Sequence, residues 1–530
     1  MLIYRLVAYF MSNFLNDNLN QSVFFDINYL EVLGENTFEY CLYQLLENDE
    51  LLSDFYARYK NKHVGRKAYP PALVLRIIFY AYYRGITSSR VIEASCKTDL
   101  KFIALSAGMQ PHFTTIADFV STNCDAINTL FHKVLLICDQ SGLIGKEHFA
   151  IDGCKLPTDS SKQWSGKHAE LRKKSDKMKD AAEKIVKQHI SNDSTKSRNK
   201  ALEGEKKQTV ETLLANAKKI DEFLATNKPR MGKGKRPKEV QSNITDNQSA
   251  KMTTSKGTIQ GMAFVTAADE KYQIIIGAQG FGMGQEQATL KPMIEGIKKN
   301  LGDTIFDSSV VLTADTGFSS EANMAYLFDE SINAVIPDNQ FRKRNPVFAE
   351  SDLYNKHKSD RKKTRKDKAK TNMAIPSSEF KVNLDSNTCI CPAGKELKFL
   401  GNDYEEVRGT YSRFRGELKD CRACPQQARC MKNPVKERGR QVSFLNKEQT
   451  KTSYLDLMKE KVDSVEGRRI YSRRMWTIEP VFGNITSNKR LNRLSLRGER
   501  KCTAQWLMFC LVHNIEKLWK NADEGEWLMT

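Results

Sequence analysis

The chain has 530 residues, enough for two to four domains, and its 40% hydrophobic and 28% charged residues can form a sizeable core, which excludes a wholly disordered protein. No stretch approaches the roughly 18 uninterrupted apolar residues of a membrane-spanning helix, and 29 Gly with 14 Pro exclude a collagenous chain. Lys and Arg outnumber Asp and Glu by 83 to 64, a net +19 that favours a polyanionic partner, nucleic acid first.

The opening MLIYRLVAYF is apolar but short, and no small-residue cleavage site follows it, so it reads as a non-secretory start. Residues 1–145 read as a helical domain. Tyr69, Pro70 and Pro71 open the apolar run ALVLRIIFYAYYRG and Gly85 closes it, with Pro early and Gly late as a helix prefers. Thr87 is placed to cap SSRVIEASC, and Thr114 or Thr115 to cap IADFVSTN. Short helices joined by tight turns fit either a helix-turn-helix module or an ordinary bundle.

Residues 147–153, EHFAIDG, read as a strand ending in Asp152. From about 160 to 240 a basic, polar stretch carries two helical patterns. Leu171, Met178 and Ile185 are spaced by seven; Val210, Leu213, Ala217, Ile220 and Leu224 are spaced 3, 4, 3, 4. Such a pair predicts a helical hairpin inserted between strands. TIQGMAFVTAAD and YQIIIGAQG then predict two strands turning at Glu270-Lys271. A helix near 285–300, the strand SVVLTAD ending at Asp315, the helix EANMAYLF and the strand INAVIPD complete an α/β domain with a mixed sheet over 146–340. Residues 341–448 are first basic and then Cys-rich, and 449–530 form a helical tail.

Asp152 and Asp315 both end apolar strands, where α/β sheets carry their sites. Two carboxylates brought together there repel unless a cation lies between them, and a hard divalent ion suits oxygen donors. A third acid, Glu479, stands in a stretch from 468 to 501 that holds ten basic and two acidic residues. Composition leaves it open whether Glu479 is an ion-pair partner or a metal ligand.

Tyr471-x2-Arg474 followed by Glu479-Pro480-Val481-Phe482-Gly483 resembles the third-acid signature of DDE transposases from bacterial insertion sequences. The stretch from Arg490 to Gly498, then Trp506 and Leu511-Val512-His513-Asn514, is similar to that family's C-terminal helix. Ala150-Ile151-Asp152-Gly153 and Ala314-Asp315-Thr316-Gly317-Phe318 resemble its first two acidic motifs. The resemblance implies an α/β fold: a ribonuclease-H-like mixed-sheet catalytic domain with a helical N-terminal domain, a helical insertion and a Cys-rich insertion. The N-terminal domain would serve DNA binding or dimerisation. Asp152, Asp315 and Glu479 would be catalytic and hold magnesium or manganese, a pair of ions clamping the scissile phosphate. Tyr471, Arg474, Lys489, Arg490, Arg493 and Arg497 would contact DNA. Double-stranded DNA and a second copy of the chain would be the partners, in the cytoplasm at the nucleoid.

Two departures stand out. The family usually has a Lys seven residues after the Glu, where this chain has Thr486; Lys489 and Arg490 follow one turn on. Its Arg commonly stands one residue nearer the Glu than Arg474 does. Two alternatives stay open: a catalytically inactive or domesticated DNA-binding relative, and a ribonuclease-H-like nuclease without strand transfer.

Seven of the twelve cysteines are scattered, and five lie between Cys389 and Cys430. Cys421-x2-Cys424 presents two thiols to one tetrahedral zinc, and Cys391 and Cys430 are the candidates for the other two, with Cys389 spare. Free structural thiols and a redox pair are the alternatives. His513, on an apolar helix, reads as a core histidine.

Overall fold

The computed structural model describes residues 28–59, 67–192, 200–232, 237–255, 257–307, 309–348, 375–406, 409–431, 437–448 and 453–521. The apolar start and most of the basic run at 342–370 lie outside them. The described residues fall into two compact units, the first running to Phe119 and the second from Val120, with the short stretch Tyr83–Gly85 also grouped in the second.

The first unit is helical: α1 (Tyr29–Leu33), α2 (Phe38–Leu46), α3 (Ser53–Tyr56), α4 (Pro71–Tyr83), α5 (Ser89–Thr98), α6 (Leu100–Leu105) and α7 (Phe113–Thr122). Pro71 is the first residue of α4, whose side chains are buried on nearly every side; Tyr80 meets Phe102 of α6 and Arg76 lies over the Tyr43 ring of α2. Two caps differ from the sequence reading. Ser88 rather than Thr87 precedes α5, and α7 begins already at Phe113, whose N–H donates to Glu93 Oε2 at 3.0 Å. A carboxylate from another helix thus does the work assigned to a threonine.

The second unit opens with α8 (Cys124–Gln140), so the contact boundary falls near residue 120 rather than 145: α8 buries Ile127, Leu130, Phe131, Val134 and Leu135 in this unit. Next come β1 (His148–Pro157), the two-residue strand β2 (Ser165–Gly166), α9 (His168–Asn192), α10 (Lys200–Thr226), β3 (Ser242–Asn243), β4 (Ala250–Thr254), β5 (Gly257–Asp269) and β6 (Ile275–Phe281). Then follow α11 (Leu290–Leu301), β7 (Val311–Ala314), α12 (Glu321–Asp329) and β8 (Ala334–Val335). The six-stranded mixed sheet runs β4-β5-β1-β7-β8. β5 is antiparallel to β1, while β7 lies parallel to β1 and β8 parallel to β7. β4 and β6 share the outer edge of β5 one after the other, pairing with residues 257–261 and 263–268. β4 is the one sheet strand that the sequence reading did not contain.

The predicted helical hairpin is α9 with α10. Leu171, Ala217 and Ile220 are buried, and Phe223 joins them although the spacing did not select it. The short β2–β3 pairing closes the base of the hairpin, and Asn243 Nδ2 donates to Ser161 O there at 2.8 Å.

After α13 (Phe341–Arg344) the Cys-rich segment forms its own small fold. It holds β9 (Lys381–Asn383), β10 (Thr388–Ile390), β11 (Lys398–Glu406), β12 (Gly409–Arg415), α14 (Leu418–Ala423), α15 (Gln427–Cys430) and β13 (Gln441–Glu448). β11, β12 and β13 make an antiparallel sheet over a core of Phe380, Cys389, Leu397, Phe414 and Val442.

The tail comprises α16 (Tyr454–Asp463), α17 (Val465–Gly483) and α18 (Glu499–Asn521), with residues 489–498 irregular. α18 covers the exposed edge of β6. Asn514 answers both backbone groups of Ile275 with its amide, at 2.8 and 2.9 Å, and Thr503 Oγ1 accepts from Gly280 N. An unpaired strand edge is closed in this way without another strand.

Candidate active site

β1 pairs with β7 through His148↔Val311 to Ile151↔Ala314, and each strand then runs on into an aspartate. Asp152 and Asp315 therefore stand beside each other on neighbouring parallel strands: Asp315 directly follows β7, whereas β1 does not end at Asp152 as the sequence suggested but runs on to Pro157, because its later residues stay paired with β5. Both are half-buried. Asp152 Oδ1 accepts from Gly153 N at 2.7 Å and Oδ2 from Arg474 Nη1 at 2.8 Å. Burial pushes the Asp152 carboxyl above its ordinary value; Arg474 opposes this, and Asp315 adds to it. Asp315 accepts from Thr316 N at 2.7 Å and opens a tight turn over Thr316–Phe318.

α17 contributes Tyr471 and Arg474, one turn apart on one face. Arg474 is 8% exposed, its guanidinium lies 5.7 Å from the Tyr471 ring centre, and Phe341 meets that ring edge-on. Glu479 is exposed on the same helix. Five residues beyond Arg474, it lies about 140° further round the helix. Among the described residues no group of three or more His, Cys, Asp or Glu side chains stands at metal-holding spacing.

An unpredicted carboxylate, Glu286, enters from the turn before α11. It lies 3.6 Å from Lys155 Nζ. Burial raises its carboxyl, Lys155 opposes, and Asp152 and Asp315 both raise it further.

The basic stretch after α17 is tied to the C-terminal end of β1, five residues beyond Asp152. Leu494 N donates to Pro157 O and Asp159 N to Leu496 O. Arg490, Arg493 and Arg497 are exposed. Asp159 pairs with Arg493 at 3.6 Å and with Arg497 at 2.8 Å. Lys489, expected at the DNA, is instead 1% exposed and ion-paired with Glu516. Asn484 and Lys520 also bond that carboxylate. As the chain folds, the Lys489 ammonium serves the interior rather than the surface.

Cys391, Cys421, Cys424 and Cys430 line one cavity of about 250 Å³. Lys395 N donates to Cys391 Sγ at 3.4 Å and Arg440 N to Cys421 Sγ at 3.5 Å. Gly416 and Gly439 make room for Cys421: an added Cβ at either would come within 2.8 and 3.0 Å of its sulfur. Burial raises the Cys430 thiol, Arg440 opposes, and the other three cysteines push it further up. Cys389 is buried in the core of this small fold.

Residues 390–519 match the family described as a transposase DDE domain, and residues 28–122 match a second transposase domain, DUF772. The chain is a relative of the DDE transposases of insertion sequences. No curated protein matches it. Among solved structures, a cryo-EM piggyBac transposase synaptic complex with hairpin DNA matches at TM-score 0.25 and 10% identity, over 94% of this chain and 85% of that one.

In this transposase relative the DDE-domain match contains Tyr471, Arg474, Glu479 and the cysteine cavity, while Asp152 and Asp315 lie outside both matched segments. Their pairing rests on strand register alone. The sequence reading missed Glu286 and Asp159. Glu286 had no visible signal, because only the fold brings residue 286 to residue 152. Asp159 lies seven residues after Asp152 in a polar stretch and faces arginines more than three hundred residues away.

Proposed function

We propose that this transposase relative cuts DNA at the ends of a mobile element and joins them to target DNA, with Asp152 and Asp315 as the central carboxylates of a ribonuclease-H-like core. The strand order supports that core: antiparallel strands lead into β1, and two parallel strands follow on its other side. The observation that carries the reading is the register ending at Ile151↔Ala314, after which both strands deliver an aspartate. These are hard oxygen donors and fit magnesium or manganese. When bound, such an ion would supply charge neutralisation at the attacked phosphate.

The chain's own groups do the rest. Arg474 holds the Asp152 carboxylate, and Tyr471, itself braced edge-on by Phe341, packs against that guanidinium. Arg493 and Arg497 lie at the surface, where they would exchange Asp159 for DNA phosphates, and the exposed Arg490 would add a third contact. Glu479 would join the carboxylates only after α17 rotates or unwinds locally. The partners would be double-stranded DNA and a second copy of the chain, in the cytoplasm at the nucleoid. The four cysteines line one cavity without standing at metal-holding spacing, so their sulfurs would have to close in to hold one structural zinc. A second reading, a DNA-binding relative that does not cut, draws support from the exposed position of Glu479.

The test is cleavage of a labelled duplex copied from the DNA flanking this gene, with magnesium present. Asp152→Ala and Asp315→Ala are expected to abolish cleavage and retain binding. A wild-type protein that binds this duplex but never cuts it would decide for the second reading.

A further inference from the structure

The carboxylate-lined end of the sheet poses an electrostatic problem. Asp152, Asp315 and Glu286 bring three negative charges to a place where a phosphodiester, itself an anion, would have to approach. Cations fixed in the protein are needed there. Arg474 is buried and already bonded to Asp152. Lys155 is different: three residues after Asp152 on β1 it leaves the other face of the strand, the face on which Glu286 lies against Gly153, and its side chain is 29% exposed. Its ammonium meets Glu286 at 3.6 Å, a loose ion pair rather than a tight hydrogen bond.

Glu286 has a built seat. A Cβ at Gly317 would overlap its Oε2, and one at Gly153 would stand 3.5 Å from its Oε1. Gly153 directly follows Asp152, and Gly317 lies two residues after Asp315. Gly317 therefore leaves the space that this carboxylate fills, and Gly153 lies in ordinary contact with it. Its side chain is only 15% exposed, which fixes it better than a surface partner would be. Phosphate oxygens can replace Glu286 at the ammonium, since the pair is partly open to water and Lys acts as a mobile point charge.

We infer that Lys155 is a DNA-phosphate-binding residue of this site, and that Glu286, seated on Gly153 and Gly317, is the positioning residue that holds its ammonium beside Asp152 and Asp315. The inference rests on the DNA-cutting function proposed above. It assigns opposite effects to the two residues. Losing Lys155 removes a phosphate contact. Losing the Glu286 charge removes a repulsion and frees the ammonium, which then binds phosphate without being aimed.

The experiment measures binding of the labelled flanking duplex over a range of salt, and its cleavage with magnesium, for four variants. Lys155→Ala is expected to weaken binding and to make the slope of log affinity against log salt shallower by about 0.9, the share of one phosphate. Lys155→Arg should restore that slope. Glu286→Gln is expected to bind at least as tightly as wild type yet to cleave more slowly at saturating DNA, a combination that general damage to the fold would not give. Wild-type slope and cleavage in Lys155→Ala, or weakened binding in Glu286→Gln, would overturn the inference. Asp152→Ala is the control: if it still cuts, the proposed site itself is wrong, whereas an inactive Asp152→Ala beside an unaffected Lys155→Ala refutes Lys155 alone.

Discussion

Lys489 and Glu516 show how one residue can read as a DNA contact and fold as something else. The ammonium sits in the interior, and burial alone lowers its readiness to be charged. Burial likewise pushes the Glu516 carboxyl up, but hydrogen bonds from Asn484, Lys489 and Lys520 outweigh that and hold it at about 2. Removing one partner leaves a buried charge alone, so Glu516→Ala should cost about 3–5 kcal/mol of stability, read by urea unfolding. Lys489→Met with Glu516→Leu together should cost much less, because neither charge then remains. His513 lies in the same network, with Nε2 against Gln273 O at 2.9 Å and Nδ1 against Asn484 at 3.0 Å. It is the core histidine that its apolar helix predicted.

The buried histidines also set a pH dependence. Burial lowers His148 to about 4, with Glu270 opposing, and lowers His513 to about 3. The unfolded chain binds these protons near pH 6.5, so it holds more protons than the folded chain below that pH. Stability is therefore full above about pH 6.5 and falls as pH drops toward 4, by at most about 3 kcal/mol for His148. Urea unfolding across pH 4–7 should show this loss, and His148→Gln should remove its share and leave that of His513.

At the scale of elements, α17 carries the chief disagreement between motif and structure. A four-residue spacing puts two side chains on one helix face; five residues do not. Arg474 meets Asp152, and Glu479, five residues on, is turned away. The departure was visible in the sequence, but its consequence was not, because a one-residue slip matters only once the helix is docked. Pro480 fits the helix by a local exchange. It has no N–H for the carbonyl of Trp476, and Gln273 Nε2 donates to that carbonyl instead, at 2.9 Å. Immediately after α17 the chain widens into a π-turn over Asn484–Asn488, which includes Thr486 where relatives carry Lys.

The Cys-rich element has its own small core. Phe414 is fully buried between Phe399 and Phe444, with ring centres 5.3 and 6.0 Å away. Phe414→Ala should destabilise this element by about 3–5 kcal/mol. With so few core residues, a metal crosslink would add much of the remaining stability. Metal analysis of protein purified under reducing conditions should find close to one zinc per chain. The content should fall when Cys421 and Cys424 are both changed to Ser. Zinc-free protein with native-like resistance to proteolysis over residues 375–448 would leave these as free thiols.

At the scale of the whole molecule, the surplus of positive charge has a definite outlet. Arg490, Arg493 and Arg497 lie exposed on a segment whose backbone is tied to the end of β1, close in sequence to Asp152. Each arginine that neutralises a phosphate contributes about −0.9 to the slope of log affinity against log salt. Changing all three to Ala should therefore make the slope shallower by about 2.7, measured on any duplex, because phosphate contacts carry no sequence information. A slope unchanged by the triple substitution would move the DNA path elsewhere on the basic surface.

The sequence by itself determined most elements of the main sheet and their order, but not β4 or the strands of the Cys-rich segment. Alternation and apolar runs specified β1, β5, β6, β7 and β8, and the heptad spacing specified the α9–α10 hairpin, because burying one face of each needs only a local pattern. It also singled out Asp152, Asp315 and the cysteines; Cys421 and Cys424 are close in the chain, but Cys391 is thirty residues away and only the fold brings it to the same cavity. Tertiary structure alone decided that Asp152 and Asp315 are neighbours, that Glu286 reaches them, that Lys489 is buried and that Glu479 is exposed. Those facts depend on strand register and on the rotation of a docked helix. Both are set by packing between residues hundreds of positions apart, which no local periodicity encodes.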